Sequence, residues 1–165
     1  MQIVAEHPCG GCPSLLRRAP GRMRVMTRGA QGRDRAGRTA AHYAALNGDV
    51  DCLRGLAVSG VDLDAADSAG WTPLHFAAQA QNAQAAEALL AAGAAVDVPD
   101  RYGNTALWTA VFNFREEGAI LRVLLEAGAD PERENAHGVS PRGLADKIAN
   151  YDVAAHLPDV KGSSS

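Results

Sequence analysis

The sequence is poor in the features that mark membrane proteins and enzymes. No apolar run approaches the roughly 20 residues that a membrane-spanning helix needs. There is no G-x-S-x-G, H-E-x-x-H or G-x-x-x-x-G-K motif, and the few serines fall where turns or tails are expected. These absences argue against a membrane span and against the common nucleophile, metalloprotease and phosphate-binding sites. We therefore expect no catalysis, no cofactor and no small-molecule substrate.

Cysteine is scarce as well, with three in 165 residues. Cys9 and Cys12 form a C-x-x-C pair close to His7, which resembles half of a zinc site. A structural zinc normally has four ligands, and the remaining cysteine, Cys52, lies in a predicted helix. One alternative function stays open, in which nucleic acid or zinc binds through the N-terminal segment that carries this pair.

Charge is distributed unevenly along the chain. Residues 1–33 carry six arginines against one glutamate, together with glycines and prolines that interrupt helices, so we expect a basic, disordered tail. No apolar stretch in this tail resembles a secretory signal, which favours a cytoplasmic location. Residues 34–157 carry nine basic and seventeen acidic side chains, a net charge of -8. Such acidity disfavours nucleic acid and favours a basic partner.

The remaining sequence is organised by a repeat. Asp34, Asp67 and Asp100 are 33 residues apart, and each is followed at the same offsets by a glycine and a threonine. A fixed period of this length indicates stacked supersecondary units rather than one globular core. The recurring aspartates are better explained as caps of turns than as a row of metal ligands.

Each unit carries the start and stop signals of two helices. Thr72 can cap the first helix, and Pro73 fits its first turn, where no backbone N–H is needed. Asn82 can cap the second helix, as can Asp49 and Asn150 at the same register. Gly93 then ends that helix, because a residue in the left-handed region carries little strain only as glycine; Gly60 and Gly128 are its counterparts.

The period D-S-A-G-W-T-P-L-H-F-A-A that begins at Asp67 resembles an ankyrin repeat. The resemblance implies an all-α solenoid of about four helix-turn-helix units with hairpin fingers, at residues 34–66, 67–99, 100–134 and 135–157. Residues 158–165 are expected to form a flexible C-terminus. In ankyrin units the histidine at the position of His42 and His75 bridges adjacent repeats, and Trp108, which replaces it in the third unit, would lose that bridge.

The resemblance also implies where a partner would bind, since ankyrin proteins use mainly their finger tips and the exposed side of their first helices. Four of the eight aromatic residues fall between positions 102 and 114, and aromatic and arginine side chains dominate interface hot spots. The predicted contact residues are Trp71, Arg101, Tyr102, Asn104, Trp108, Phe112, Asn113, Phe114, Arg115 and His137. For Trp108 and Phe112 the alternative is that they fill core space.

The third repeat is two residues longer than the others, and the extra length falls around residues 113–117, between its helices. Insertions in solenoids map to loops that often have a function. The runs D-R-Y-G-N-T-A-L-W-T-A-V-F-N, N-A-H-G-V-S-P and I-A-N-Y-D-V resemble small stand-alone bacterial ankyrin proteins, some of which are suggested immunity proteins. This narrower resemblance suggests that the chain neutralises a cognate toxin. The broader expectation is a monomeric ankyrin module that acts as a scaffold for a protein partner.

Overall fold

The computed structural model describes residues 32–115, 118–148 and 153–157, and within these ranges the chain forms seven α-helices, one short 3₁₀ helix and no strand. The zinc half-site around Cys9 and Cys12, the tail up to residue 31 and the C-terminus from residue 158 lie outside the described residues. So do Glu116 and Glu117 of the insertion. No helix in the described ranges is long and apolar enough to cross a membrane.

The helices form two layers, as an ankyrin-like array requires. Each of the first three repeats contributes a pair: α1 (Ala40–Asn47) with α2 (Val50–Val58), α3 (Pro73–Gln79) with α4 (Ala83–Ala91), and α5 (Ala106–Phe112) with α6 (Ala119–Glu126). The fourth contributes α7 (Pro141–Lys147) and the 3₁₀ helix Ala154–His156. First helices pack side by side in one layer, second helices pack in the other, and the core lies between the layers. The all-helical prediction is confirmed.

The predicted caps account for where the helices begin and end. The side chains of Asp49 and Asn82 accept hydrogen bonds from the backbone three residues on, at the starts of α2 and α4. Gly60, Gly93 and Gly128 follow the second helices with φ between +71° and +94°. Because only glycine adopts this conformation without strain, each second helix ends where the sequence predicts.

The core follows from the choice of small and large residues. Alanines such as Ala44, Ala77 and Ala110 are fully buried on the first helices, which lets neighbouring first helices approach closely. Leucines such as Leu89 and Leu124 are fully buried on the second helices. Burying a leucine side chain is worth about 1.5–3 kcal/mol, and no single unit can bury its leucines without a neighbour.

The fingers are built from the recurring aspartates. Oδ1 of Asp67 accepts hydrogen bonds from the backbone N–H groups of Ala69 and Trp71, and Asp34, Asp100 and Asn135 repeat this geometry. The prediction that these side chains cap turns is confirmed. Gly70 has φ +83°, and a Cβ placed on it would meet the backbone N of Arg101 at 2.8 Å. Successive fingers are therefore in backbone contact.

Two histidines tie successive repeats together. Nδ1 of His42 accepts a hydrogen bond from the backbone N–H of Thr39 (3.0 Å), and its Nε2 lies 2.9 Å from the carbonyl oxygen of Trp71 in the next repeat. His75 repeats the arrangement, with its Nε2 3.1 Å from the carbonyl oxygen of Asn104. Since a carbonyl can only accept and an N–H only donate, both rings are neutral with the proton on Nε2. The bridging role implied by the resemblance is confirmed.

At the two ends of the array, the described residues show contacts and turns outside the regular repeat pattern. Arg33, which the sequence assigns to the tail, donates a hydrogen bond to the carbonyl oxygen of Ala66 at 2.8 Å and so contacts the second finger. In the fourth repeat a second helix capped by Asn150 is predicted, but Asn150 lies outside the described residues. After the gap the chain forms only a 3₁₀ turn, whose neighbours Val153 and Leu157 are buried.

Candidate functional site

A shallow, open depression of about 390 Å³ lies between the fingers and α3, on the side of the array where the first helices are exposed. Residues from the first three repeats line it, and we call it the groove: Arg38, Asp67, Ala69, Trp71, Phe76, Gln79, Arg101 and Tyr102. The finger residues come from turns capped by aspartate, and Phe76 and Gln79 come from α3. The groove thus exists only because the repeats are stacked.

Trp71 is held rigidly in the groove. Its indole ring stacks on His75 with centroids 5.9 Å apart and meets Phe76 edge-on at 5.5 Å. Its Nε1–H donates to Oδ2 of Asp100 at 3.1 Å. Burial lowers the pKa of His75, so the ring beneath Trp71 is neutral at physiological pH. Trp71 is therefore a fixed, half-buried platform rather than a mobile side chain.

Two guanidinium groups lie over aromatic rings in the groove. The Arg38 guanidinium is 5.3 Å from the centroid of the Phe76 ring, and that of Arg101 is 5.6 Å from the centroid of Tyr102. Both distances suit a cation–π contact, which is worth about 0.5–1 kcal/mol at an exposed position. Arg101 also donates to the carbonyl oxygen of Ser68 at 3.2 Å. These contacts fix the positive charges beside the aromatic surface.

The two carboxylates beside the groove, of Asp67 and Asp100, are buried and already have hydrogen-bond or ion-pair partners. Asp100 is only 7% exposed and accepts from the backbone N–H groups of Tyr102 and Asn104, from the Asn104 amide and from Trp71. The Asp67 side chain is 4% exposed, and its Oδ2 lies 3.6 Å from Nε of Arg38. Among the described residues, no group of three or more His, Cys, Asp or Glu side chains has the arrangement of a metal site.

Comparison with known families agrees with this geometry. Residues 41–135, more than half of the chain, match the family model for ankyrin repeats in three copies. The chain belongs to the ankyrin repeat family. Ankyrin repeats generally mediate protein–protein interaction and are typically non-catalytic. No curated protein matches the chain with significant similarity.

The ankyrin array exposes some of the predicted contact residues. Tyr102 is 51% exposed beside Arg101 in the groove, and Phe112 is 62% exposed at the end of α5. Phe112 stacks on Trp108, with ring centroids 5.4 Å apart and planes 11° from parallel. Phe112 occupies the position in α5 that Gln79, a groove residue, occupies in α3. By the repeat register the pair lies beside the groove, on the side toward the fourth repeat, with Phe112 exposed and Trp108 half-buried.

Other predicted contact residues have internal partners. Asn104 donates to Asp100 and accepts from Asn135, so its amide links the third and fourth fingers. Asn113 donates from Nδ2 to the carbonyl oxygen of Thr109 at the end of α5. Phe114 is only 8% exposed and belongs to the core, so little of its side chain is open to a partner. Its ring centroid lies 5.6 Å from that of His156.

Arg115 and His137 are exposed, but neither lines the groove. The ten predicted contact residues leave out five residues that line the groove: Arg38, Asp67, Ala69, Phe76 and Gln79. The repeat register does indicate two of these five, because Arg38 occupies the position of Trp71 one ankyrin unit earlier, and Gln79 occupies that of Phe112.

Proposed function

We propose that this ankyrin array is a non-catalytic binding module that holds a protein partner in the groove and on the adjoining Trp108–Phe112 pair. The observation that carries the proposal is the placement of exposed apolar surface. The described residues include four exposed large hydrophobic side chains, Leu46, Val58, Tyr102 and Phe112. Three of them lie on the fingers or first helices, where a rigid, concave solenoid surface is available.

The groove has the composition of an interface centre. Trp, Tyr and Arg are enriched among hot-spot residues, which sit in well-packed positions. Here Trp71 is fixed by His75 and Asp100, and Arg101 by Ser68 and Tyr102. Because these side chains are already ordered, little further rotamer entropy is lost when a partner binds, and affinity increases accordingly.

The test is to recover the partner from the native host with the full chain and to titrate it with variants. We expect Tyr102→Ala and Phe112→Ala each to weaken binding by about 2 kcal/mol, roughly thirtyfold, as hot-spot truncations do. Val58→Ala is the matched control, since Val58 is 90% exposed but lies on α2, in the other layer. Trp71→Ala is a poor probe, because it also removes contacts to His75 and Asp100.

The two outcomes are distinct. Loss of affinity in both aromatic variants, with an unchanged circular dichroism spectrum and an unchanged Val58→Ala control, supports the proposal. Unchanged affinity in both Tyr102→Ala and Phe112→Ala removes this face as the binding surface and directs attention to the second-helix layer.

A more specific function, neutralisation of a cognate toxin, is favoured by one observation. Residues 34–157 carry a net charge of -8, which suits a cationic toxin such as a nuclease. A toxin-like reading frame beside the gene, and rescue of cells that express that toxin, would support the idea; rescue by an unrelated acidic protein would contradict it. The alternative of zinc or nucleic acid binding rests on Cys9 and Cys12, outside the described residues.

A further inference from the structure

The groove differs in charge from the array around it. Two guanidinium groups, of Arg38 and Arg101, point along its wall, whereas the array as a whole is acidic. Arg38 lies 3.6 Å from Asp67, but its Nε has no hydrogen-bond partner. Arg101 has no carboxylate within ion-pair distance among the described residues. Arg38 is therefore paired with a carboxylate, and Arg101 is the exposed guanidinium of the groove that is not.

The carboxylates nearest to the groove already have partners, so they are not available to bind a basic ligand. Both oxygens of Asp100 are engaged, Oδ1 by two backbone N–H groups and Oδ2 by Trp71 and Asn104. Oδ1 of Asp67 caps its own turn, and Oδ2 faces Arg38. A ligand that enters the groove finds the Arg101 guanidinium exposed, whereas the two carboxylates are already hydrogen-bonded or paired. The group that is open to a new ion pair at close contact is Arg101, which takes an anion.

The distant acidic residues do not reverse this preference. At physiological ionic strength the Debye length is about 8 Å, so exposed charges farther away are largely screened. The exposed Asp34 lies at the Arg38 end of the groove, where it accepts the backbone N–H of Arg38 and the hydroxyl of Tyr43. Other exposed acids, such as Asp62, Glu87 and Glu126, lie on other loops and on the second-helix layer. The net charge of the array affects the rate at which a charged partner approaches, whereas the side chains of the groove determine which chemical groups bind at contact.

We infer that the groove, taken as the binding surface proposed above, recognises an acidic segment of its partner. A carboxylate of that segment pairs with Arg101, and a neighbouring apolar side chain rests on Trp71 and Phe76. Arginine suits this role because its planar fork can hold a carboxylate through two hydrogen bonds. The inference rests on the proposed function and adds the chemistry of the ligand.

Three capped pentapeptides serve as probes: Glu-Leu-Glu-Phe-Glu and its counterparts with every Glu replaced by Gln or by Lys. Each is titrated into the ¹⁵N-labelled full chain at physiological salt. The two tryptophans give two indole N–H resonances, which a Trp108→Phe variant assigns. The Trp71 resonance reports on the groove, and that of Trp108 reports on the neighbouring repeat.

We expect the Glu peptide to shift the Trp71 resonance saturably, with a Kd about threefold to fivefold lower than that of the Gln peptide, as one exposed ion pair provides. The Lys peptide should bind more weakly still. Arg101→Gln should remove the preference for Glu over Gln. Arg122→Gln, at an exposed arginine of α6, should keep it.

Equal or tighter binding of the Gln or Lys peptide overturns the inference, as does a preference that survives Arg101→Gln or the absence of a saturable Trp71 shift with every peptide. The proposed function fails separately. If the Tyr102→Ala variant weakens binding of the recovered partner while the Glu peptide binds no better than the Gln peptide, the groove remains the binding surface, and only the inference of an acidic ligand is rejected.

Discussion

The histidine bridges make the stability of the array depend on pH. Each bridge needs a neutral ring, because a protonated Nδ1 cannot accept the backbone N–H of Thr39 or Thr72. Burial lowers the pKa of both His42 and His75 from the ordinary value of 6.5. In the unfolded chain the same rings titrate at their ordinary pKa, so the two states bind different numbers of protons in mildly acidic solution.

The direction in which the free energy of unfolding changes with pH follows from this difference. As the pH falls through 6.5, the unfolded chain takes up protons that the folded chain does not, and the free energy of unfolding decreases. The stabilisation is complete above that value and is lost as the pH falls toward the lowered folded-state pKa values. The loss grows as the pH falls, and it cannot exceed about 1.4 kcal/mol per histidine for each pH unit below the ordinary pKa.

Urea unfolding, followed by circular dichroism at about pH 7.5 and about pH 5.5, measures the effect as a shift in free energy. His75→Gln removes one of the two titrating rings, so its stability should depend less on pH than that of the unchanged chain, even though it is less stable at both pH values. His137→Gln is the control, because His137 is exposed, and it should keep the full dependence. The reasoning is refuted if the pH dependence is unchanged in His75→Gln, or is reduced as much in His137→Gln.

Two further predictions concern packing. Gly70→Ala should destabilise the array by about 2 kcal/mol or more, because the new Cβ meets the backbone of Arg101 as well as straining a positive φ. Gly60→Ala, with equal strain but no neighbour within 4 Å, should cost only about 1 kcal/mol; equal losses on urea unfolding would contradict the close stacking of the fingers. Phe114→Ala should cost about 3–5 kcal/mol as a core truncation, whereas the exposed Phe112→Ala should change unfolding by less than about 0.5 kcal/mol. A small loss of stability for Phe114→Ala would contradict the assignment of Phe114 to the core.

Local signals explain why so much of the fold could be predicted. Caps such as Asp49 and turn glycines such as Gly93 act on backbone atoms within a few residues, so their effect is visible in one unit of sequence. The histidine bridges could be predicted because the family resemblance assigns that position. These features recur with the period, and each recurrence supports the others.

The features that could not be predicted depend on contacts that the 33-residue repeat does not determine. Phe114 lies in the insertion, and its burial follows from the path of a loop with no counterpart in the other repeats. The groove joins Arg38 to Phe76 and Tyr102 across three units, so no single unit contains it. The preference for a basic partner, drawn from net charge alone, stays a prediction and is opposed by the local charge of the groove.

The replacement of histidine by Trp108 has a mechanical consequence. The first two junctions between repeats are closed by a bridge from His42 or His75 to a carbonyl of the next unit. At the third junction Nε1 of Trp108 is buried with no hydrogen-bond partner, and the fingers are joined through Ala136 to Tyr102 and through Asn135 to Asn104. Because the third junction lacks the histidine bridge, we expect it to separate before the first two when the ends of the array are pulled apart. A ligand that contacts both Phe112 and the fourth finger would then stabilise this junction mechanically.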